Sequence, residues 1–584
     1  MQLRGFAAWV MVAPLLALPT VTEAQMVSNP STAPDCMHNT AFFNPKLSPS
    51  INLPPGFTAS VFVAGLNAPT GIAFLGNSSS FQVYVLESGH GIPSVCNDEM
   101  AWPGGPFDIN NPFTPDILVF NQNGKLVRGP LGKPTSSGGG FQTSGPAVDI
   151  AFVNGLSGGR LFATDSNQST HQHNGQNNSS RISTVNPMTG VVNPFITNLP
   201  TGDHPTEQLA FRGDGWIYWS QGSTTNSGVV GLDNGSGTNQ SDIPCQDITL
   251  SQNVFISSFG PPEVATSGYS PFGVQQPGAT IKAFFNSFTG QVRQGVCDGA
   301  ILRAQLTNAN NIQAFSWGYR NPYAIRFPPA DHPLSGGILA GMDGADERGA
   351  RPSNNAPDEL HLGRQNPDGS PDYHGWPDRY GGLPTSQAVY NPIGGPQDDV
   401  CPPPFSQATC LANLMKANDI PIRDVLAVPP QQITGPLANE AADSSFTGID
   451  FVPDAFVIGP VQPGAVLYSL EGDFGFSAPN ATSPAPEVGH EVKLINFNQL
   501  PGSPLALRVQ NFARNSTGDQ AFVTNINGFN RPLNVRFGPD GCAYVVDYGA
   551  VRDLGPDSHF VGPPANGPLL QIPGTGVIWK ICPM

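Results

Sequence analysis

The sequence predicts an all-β protein folded as a six-bladed β-propeller, with long loop insertions in the middle blades. Three observations carry this expectation. A short pattern (a small or polar residue, then Ile, Val or Leu, then any residue, then Phe) occurs six times, ending at Phe74, Phe152, Phe211, Phe327, Phe451 and Phe537. Each copy is followed by turn chemistry and a second stretch of alternating apolar residues, the period of a half-buried strand. The 584-residue chain also holds 67 Gly and 61 Pro and almost no long amphipathic helical pattern, which favours strands and loops. One hairpin cannot bury its own face, so six of them argue for radial stacking about an axis.

In chain order, residues 1–24 read as a secretory signal peptide. Arg4 supplies the positive charge, Phe6 to Leu18 an apolar core broken by Pro14, and Thr22-Glu23-Ala24 a small-x-small end, with cleavage expected before Gln25. The apolar run is too short to span a bilayer, and no later segment is long and charge-free. A secreted, extracellular protein without a membrane span is therefore expected. Residues 25–50 form an N-terminal arm of a single propeller domain, 25–584. The returning strands of the six hairpins are "FQVYVLESG", "GRLFATDS", "GWIYWSQG", "GILAGMDG", "GAVLYSLEG" and "CAYVVDYG". The intervals from Phe211 to Phe327 and from Phe327 to Phe451 are long, so residues 223–310 and 345–440 are read as inserted loops, rich in Gly, Pro, Ser and Asn.

A net charge of −17 with only 12% charged residues argues against nucleic acid or an anionic membrane as partner. The eight cysteines, in an exported chain, read as up to four disulfides with connectivity open. Cys401 and Cys410 could close a short loop, and Cys542 could tie the last strand to the C-terminus. No pair has C-x-x-C spacing, which disfavours a zinc or thioredoxin site. Sequons at Asn77, Asn167, Asn177, Asn178, Asn234, Asn239, Asn480 and Asn515 fit a secreted glycoprotein, although an Asn-, Ser- and Thr-rich chain also produces them by chance.

Positions of equal register in a propeller lie at the same height around one axis, and an antiparallel hairpin returns to the rim it left. Counting back seven from the motif Phe gives His204 and Arg320, and counting back six gives Arg531. The ends of the returning strands hold Glu87, Asp165, Gln221, Asp343, Glu471 and Asp547. Such a rim suits an anionic ligand held with a divalent cation, since Arg forks onto carboxylates and Ca²⁺ takes oxygen ligands. Asp203 or a neighbouring group could orient His204 and raise its basicity, making it a general base. Taken singly, His204 reads as a loop histidine, Arg320 as a turn residue, and the acids as turn-forming strand ends. The shared register favours a site. Gly155-Leu-Ser-Gly-Gly159 matches a nucleophile-elbow pattern but precedes a strand, so it is discounted. His171 and His173, in an Asn-rich loop, read as solvated.

Five segments together resemble the soluble quinoprotein glucose/sorbosone dehydrogenases, including the fungal pyranose dehydrogenases that use pyrroloquinoline quinone (PQQ): "GDHPTEQLAF", "GYRNPYAIRF", "MDGADERGARPSNNAPDELHL" followed by "DYHGWP", "LYSLEGDFG" and "RPLNVRFGPDGCAYVVDYG". The resemblance spans roughly residues 50 to 582. It implies that His204 takes the proton of a sugar's anomeric hydroxyl while Asp203 holds that His, and that hydride passes to PQQ. It further implies that Arg320 stabilises charge on the quinone, that Arg320, Asn321 and Arg531 bind the cofactor, and that carbonyls of Gly344 and Ala345 hold Ca²⁺. A small-molecule sugar and an external electron acceptor, a quinone or redox protein, are the implied partners. The glucose dehydrogenases carry a Lys near the "LEGDFG" segment and a second Arg beyond the one matched by Arg531. This chain has Glu471 and Leu533 there, with Arg348 and Arg351 as candidate replacements. A Ca²⁺-dependent lactonase or esterase, and a non-catalytic binding propeller, are the alternatives, since fold alone decides no function.

Overall fold

In this computed structural model the described residues are 25–28, 40–43, 47–89, 111–135, 139–142, 145–167, 178–226, 241–250, 254–256, 265–267, 278–287, 289–345, 356–376, 426–428, 434–473, 488–498, 505–553 and 569–584. Six sheets of four or five strands, antiparallel but for one short edge pairing, make a six-bladed β-propeller. The innermost strands are Pro69–Asn77, Ala147–Phe152, Thr206–Ala210, Asn321–Arg326, Phe446–Phe451 and Pro532–Phe537. Each contacts the next in that order, and the sixth contacts the first, so the ring is closed. The second strands are Ser80–Glu87, Leu161–Asp165, Trp216–Gln221, Ile338–Asp343, Val466–Leu470 and Ala543–Asp547.

Alternation explains the packing. Successive side chains of a strand point to opposite faces, and in a ring of blades each face meets a different neighbour. In the second strand of blade three, Ile217 and Trp219 pack towards blade two on Phe162 and Ile182. Tyr218, between them, packs towards blade four on Ile325 and Ile338. The buried core is accordingly a set of wedges between blades.

The recurrent Phe is part of every wedge. Its ring meets a ring of the preceding blade in all six cases: Tyr84–Phe152 at 5.2 Å, Phe162–Phe211 at 5.7 Å, Tyr218–Phe327 at 4.7 Å, His332–Phe451 at 5.0 Å, Phe456–Phe537 at 4.9 Å and, across the closure, Tyr544–Phe74 at 4.9 Å. Aromatic pairs at such centroid distances add to simple area burial.

An early strand and the last strand of the chain meet in blade six. Gly576–Pro583 pairs on one side with Ala543–Asp547 and on the other with Phe57–Leu66, the outer strand. A disulfide between Cys542 and Cys582 staples the same blade. A second disulfide joins Cys245 and Cys297; the other four cysteines, including Cys401 and Cys410, lie outside the described residues. The stretches read as insertions also contain blade strands. Ala300–Gln305 is the third strand of blade three, and Pro357–Gly363 and Ala438–Ala442 are the third and fourth of blade four. Asp372–Tyr373 adds a parallel edge to blade three. Among the described residues the only α-helix is the single turn Ala521–Thr524, and no helix is long and apolar enough to cross a membrane. The sequon residue Asn515 is buried, its amide bonded to the Phe529 backbone, whereas Asn77 is exposed at a hairpin tip. Ser157, of the discounted Gly-rich pattern, is exposed in a short turn, and His171 and His173 lie outside the described residues.

Part-way along the axis, side chains reach across it. Arg536 of blade six donates through Nη2 to Gln208 Oε1 of the opposite blade three at 2.8 Å. Gln208 donates through Nε2 to the Thr447 carbonyl of blade five at 2.8 Å.

Candidate active site

The loops entering and leaving blade three are stitched together beyond the strand ends. Asp203 N–H donates to the Thr224 carbonyl at 2.9 Å, His204 N–H to that of Ser223 at 3.2 Å, and Gly222 N–H to that of Pro205 at 3.1 Å. Ser223 N–H then donates to the Arg320 carbonyl at 2.7 Å, joining the exit of blade three to the entry of blade four. These bonds place Asp203, His204, Arg320 and Asn321 side by side. Position 222 must be glycine for this approach: a Cβ there would lie 2.3 Å from His204 Cβ and 2.7 Å from Asn321 Oδ1.

One carboxylate serves both the guanidinium and the imidazole of this group. Asp203 Oδ2 accepts from Arg320 Nη2 at 3.2 Å and lies 3.4 Å from His204 Nε2. The second contact is longer than a hydrogen bond, as catalytic pairs often are before substrate arrives. Arg320 is 1% exposed and His204 14%. Arg320 Nε and Nη2 also donate to the carbonyl and side-chain oxygens of Asn226, at 2.8 and 2.6 Å. Asn321 Nδ2 donates to Asp343 Oδ2 at 3.1 Å. Asn321 Oδ1 and Asp343 Oδ1 are buried without a hydrogen-bond partner among the described residues, polar atoms of the kind that call for a ligand, water or ion.

Arg531 opens blade six in the equivalent place. Its N–H donates to Asp547 Oδ1 at 2.8 Å, and Nη1 and Nη2 donate to the carbonyls of Gly472 and Asp473 at 2.8 and 2.7 Å. Arg320 and Arg531 share one end of the propeller and a common field. Asp343 feels Arg320 and Glu471, and Glu471 feels Arg531. Burial pushes the Glu471 carboxyl up to about 7 against the pull of Arg531, with Asp547 adding to the rise. Burial, reinforced by Glu471, holds Glu207 well above the carboxylate range, and burial with Asp358 does the same to Asp343. Of the other strand ends, Asp165 accepts hydrogen bonds from Arg181 Nε and Nη2, and Glu87 is raised by burial and by Asp116.

Gly344 follows Asp343 at the end of its strand, and its N–H donates to Asp358 Oδ1 at 2.6 Å. Ala345 is buried against Ala356 and Trp376. Among the described residues no three His, Cys, Asp or Glu group closely enough to hold a metal ion, so a cation here would rely in part on backbone and amide oxygens. Arg348 and Arg351 lie outside the described residues. Reading the sequence by motif overlooked Glu207, Asn226 and Asp358. Glu207 was within reach of the same counting, four residues before Phe211, where the other blades carry Thr70, Val148, Tyr323, Thr447 and Leu533.

The fold and this cluster together define a six-bladed propeller with an imidazole, two buried guanidiniums and several carboxyls at one mouth. No sequence-family model and no curated protein matches the chain. Among solved structures it is similar to the PQQ domain of pyranose dehydrogenase from Coprinopsis cinerea, in its holo form (13% identity, TM-score 0.42, 91% of this chain and 97% of that one). It is also similar to a Trichoderma reesei carbohydrate-active enzyme of family AA12 (15%, 0.44, 92% and 98%) and to the soluble aldose sugar dehydrogenase of Escherichia coli (12%, 0.45, 90% and 100%). At such identities and scores the likeness decides no activity, and the residues must carry the argument.

Proposed function

We propose that the protein is a secreted quinoprotein dehydrogenase that oxidises a pyranose or other aldose at the anomeric carbon and passes the electrons to an external quinone or redox protein. The observation that carries this reading is the single carboxylate of Asp203 set between His204 and the buried Arg320. A proton acceptor and a stabiliser of developing negative charge thereby stand within one hydrogen-bonded group. His204 takes the hydroxyl proton of the sugar, and Asp203 stabilises the imidazolium that forms. Arg320, held in place by Asn226, would supply a fixed donor to an oxygen on which charge develops, the kind of group that lowers a barrier most.

None of these side chains accepts a hydride, so the reaction needs a cofactor. PQQ, when bound, supplies a quinone carbonyl carbon that takes it. Arg320, Asn321 and Arg531 would hold the quinone acid, and carbonyls of Gly344 and Ala345 with the orphaned Asn321 and Asp343 oxygens suit an accompanying Ca²⁺. Those two acceptor oxygens favour a cation beside the anion rather than an anion alone. The same surplus of oxygens favours the second reading, a Ca²⁺-dependent lactonase-type hydrolase that would need neither Arg320 nor Arg531.

Reconstitution with PQQ and Ca²⁺, followed by dye reduction across a panel of aldoses, tests the first reading against lactone hydrolysis without PQQ. His204→Ala is expected to lower turnover about 10²–10⁴-fold, the usual contribution of a general base, while PQQ still binds. Arg320→Ala is expected to impair both. Normal oxidation by His204→Ala would remove the base assignment.

A further inference from the structure

Arg320 belongs to blade four, yet its firmest side-chain partner comes from the loop that leaves blade three. Nε donates to the Asn226 carbonyl at 2.8 Å and Nη2 to Asn226 Oδ1 at 2.6 Å. Nη2 reaches Asp203 Oδ2 only at 3.2 Å, and the same oxygen stands 3.4 Å from His204 Nε2.

Asn226 does not float. It is fully buried, and the two residues before it are tied to a pair of buried carboxylates. Thr224 donates through N–H and Oγ1 to Asp298, and Thr225 through N–H and Oγ1 to Asp242 at 2.8 and 2.9 Å. Trp376 Nε1 donates to Asp242 at 3.1 Å, and Ile243 N–H to Asp298 at 2.8 Å. The Cys245–Cys297 disulfide joins the segments that carry Asp242 and Asp298. Every side-chain oxygen of both carboxylates accepts at least one hydrogen bond. This is an anchor, not a second ligand site.

We propose that Asn226 is a positioning residue that sets how Asp203 is divided between Arg320 and His204. Its amide oxygen is a neutral acceptor on the guanidinium edge nearest Asp203. By occupying Nη2 it keeps Arg320 from closing fully on the carboxylate and leaves Asp203 to pair with the imidazole. The stronger Arg320's hold on Asp203, the less an imidazolium at position 204 is stabilised. The proposal rests on the reading of His204 as proton acceptor, but its test does not require catalysis.

The test is the titration of the His204 ring, followed by NMR in full-length protein carrying labelled histidine, with His204→Ala assigning the signal. Asn226→Ala frees Nη2 for Asp203 and is expected to lower the His204 pKa by about one pH unit, the worth of one redistributed charge-assisted bond. Asn226→Asp gives Arg320 a charged partner and is expected to raise it. In an Asp203→Asn background, Asn226→Ala should leave the value unchanged, because the amide acts through that carboxylate. Melting curves report whether each variant folds, and should Asp203→Asn not fold, the opposite signs of the two Asn226 changes still decide. An Asn226→Ala protein with an unaltered His204 titration, two shifts of the same sign, or a shift that persists without Asp203 would overturn the proposal. If the titrations behave as expected while reconstituted enzyme oxidises no sugar, the positioning role stands and the dehydrogenase reading falls.

Discussion

Glu471 stands at a rim where the resemblance expects a lysine, and its surroundings decide its charge. Burial raises it to about 7 even with Arg531 near. The folded protein therefore retains a proton that the unfolded chain, with its ordinary value of 4.5, has released. Folding stability from this group is undiminished below pH 4.5 and falls as pH rises towards 7, because there the folded state binds more protons than the unfolded one. Glu471→Gln should flatten that fall and leave the protein more stable at pH 8 by about 3 kcal/mol. Denaturant unfolding of both proteins across that range measures the difference. An unchanged pH profile would mean that Glu471 is already ionised in the folded state. Single residues were legible in the sequence where register fixed them: His204, Arg320 and Arg531 stand at strand entrances, and counting from a motif finds such places. Asn226 was not legible. It lies in a loop, and no spacing rule says that its amide folds onto a guanidinium 94 positions further along.

At the scale of the hairpin, the two inner strands of every blade were visible because each repeats a Phe-ended motif and a period of two. The reason for the motif became visible only in three dimensions, where each Phe is wedged against a ring of the previous blade. Phe152 is buried and meets the edge of Tyr84. Phe152→Ala should cost about 3–5 kcal/mol, the usual price of emptying such a site, which equilibrium denaturation would register. A loss below about 1 kcal/mol would mean that the two blades close over the gap. The outer strands were hidden for a physical reason. Ala300–Gln305 and Pro357–Gly363 carry no shared motif, and they stand apart in sequence from the returning strands they pair with, which end at Gln221 and Asp343. Strand pairing over such distances is settled by the neighbouring strand and the wedge beneath it, which local periodicity does not report.

At the scale of the whole molecule, two features fix the ring. The early strand Phe57–Leu66 completes the C-terminal blade, and inner strands contact one another all the way round. Six-fold stacking was legible from six motifs. The closing partner was not, since any of the apolar stretches near the start could have paired with the end. The reach of Arg536 to Gln208 across the centre has a kinetic consequence. Where such a cross-link closes the axis on one side of the cluster, sugar and acceptor share a single approach and must take turns. For a dehydrogenase of the proposed kind, oxidised sugar has to depart before an acceptor comes for the electrons. Double-reciprocal plots of rate against sugar, drawn at successive acceptor concentrations, should then form parallel lines, and lines that cross would point to a back door.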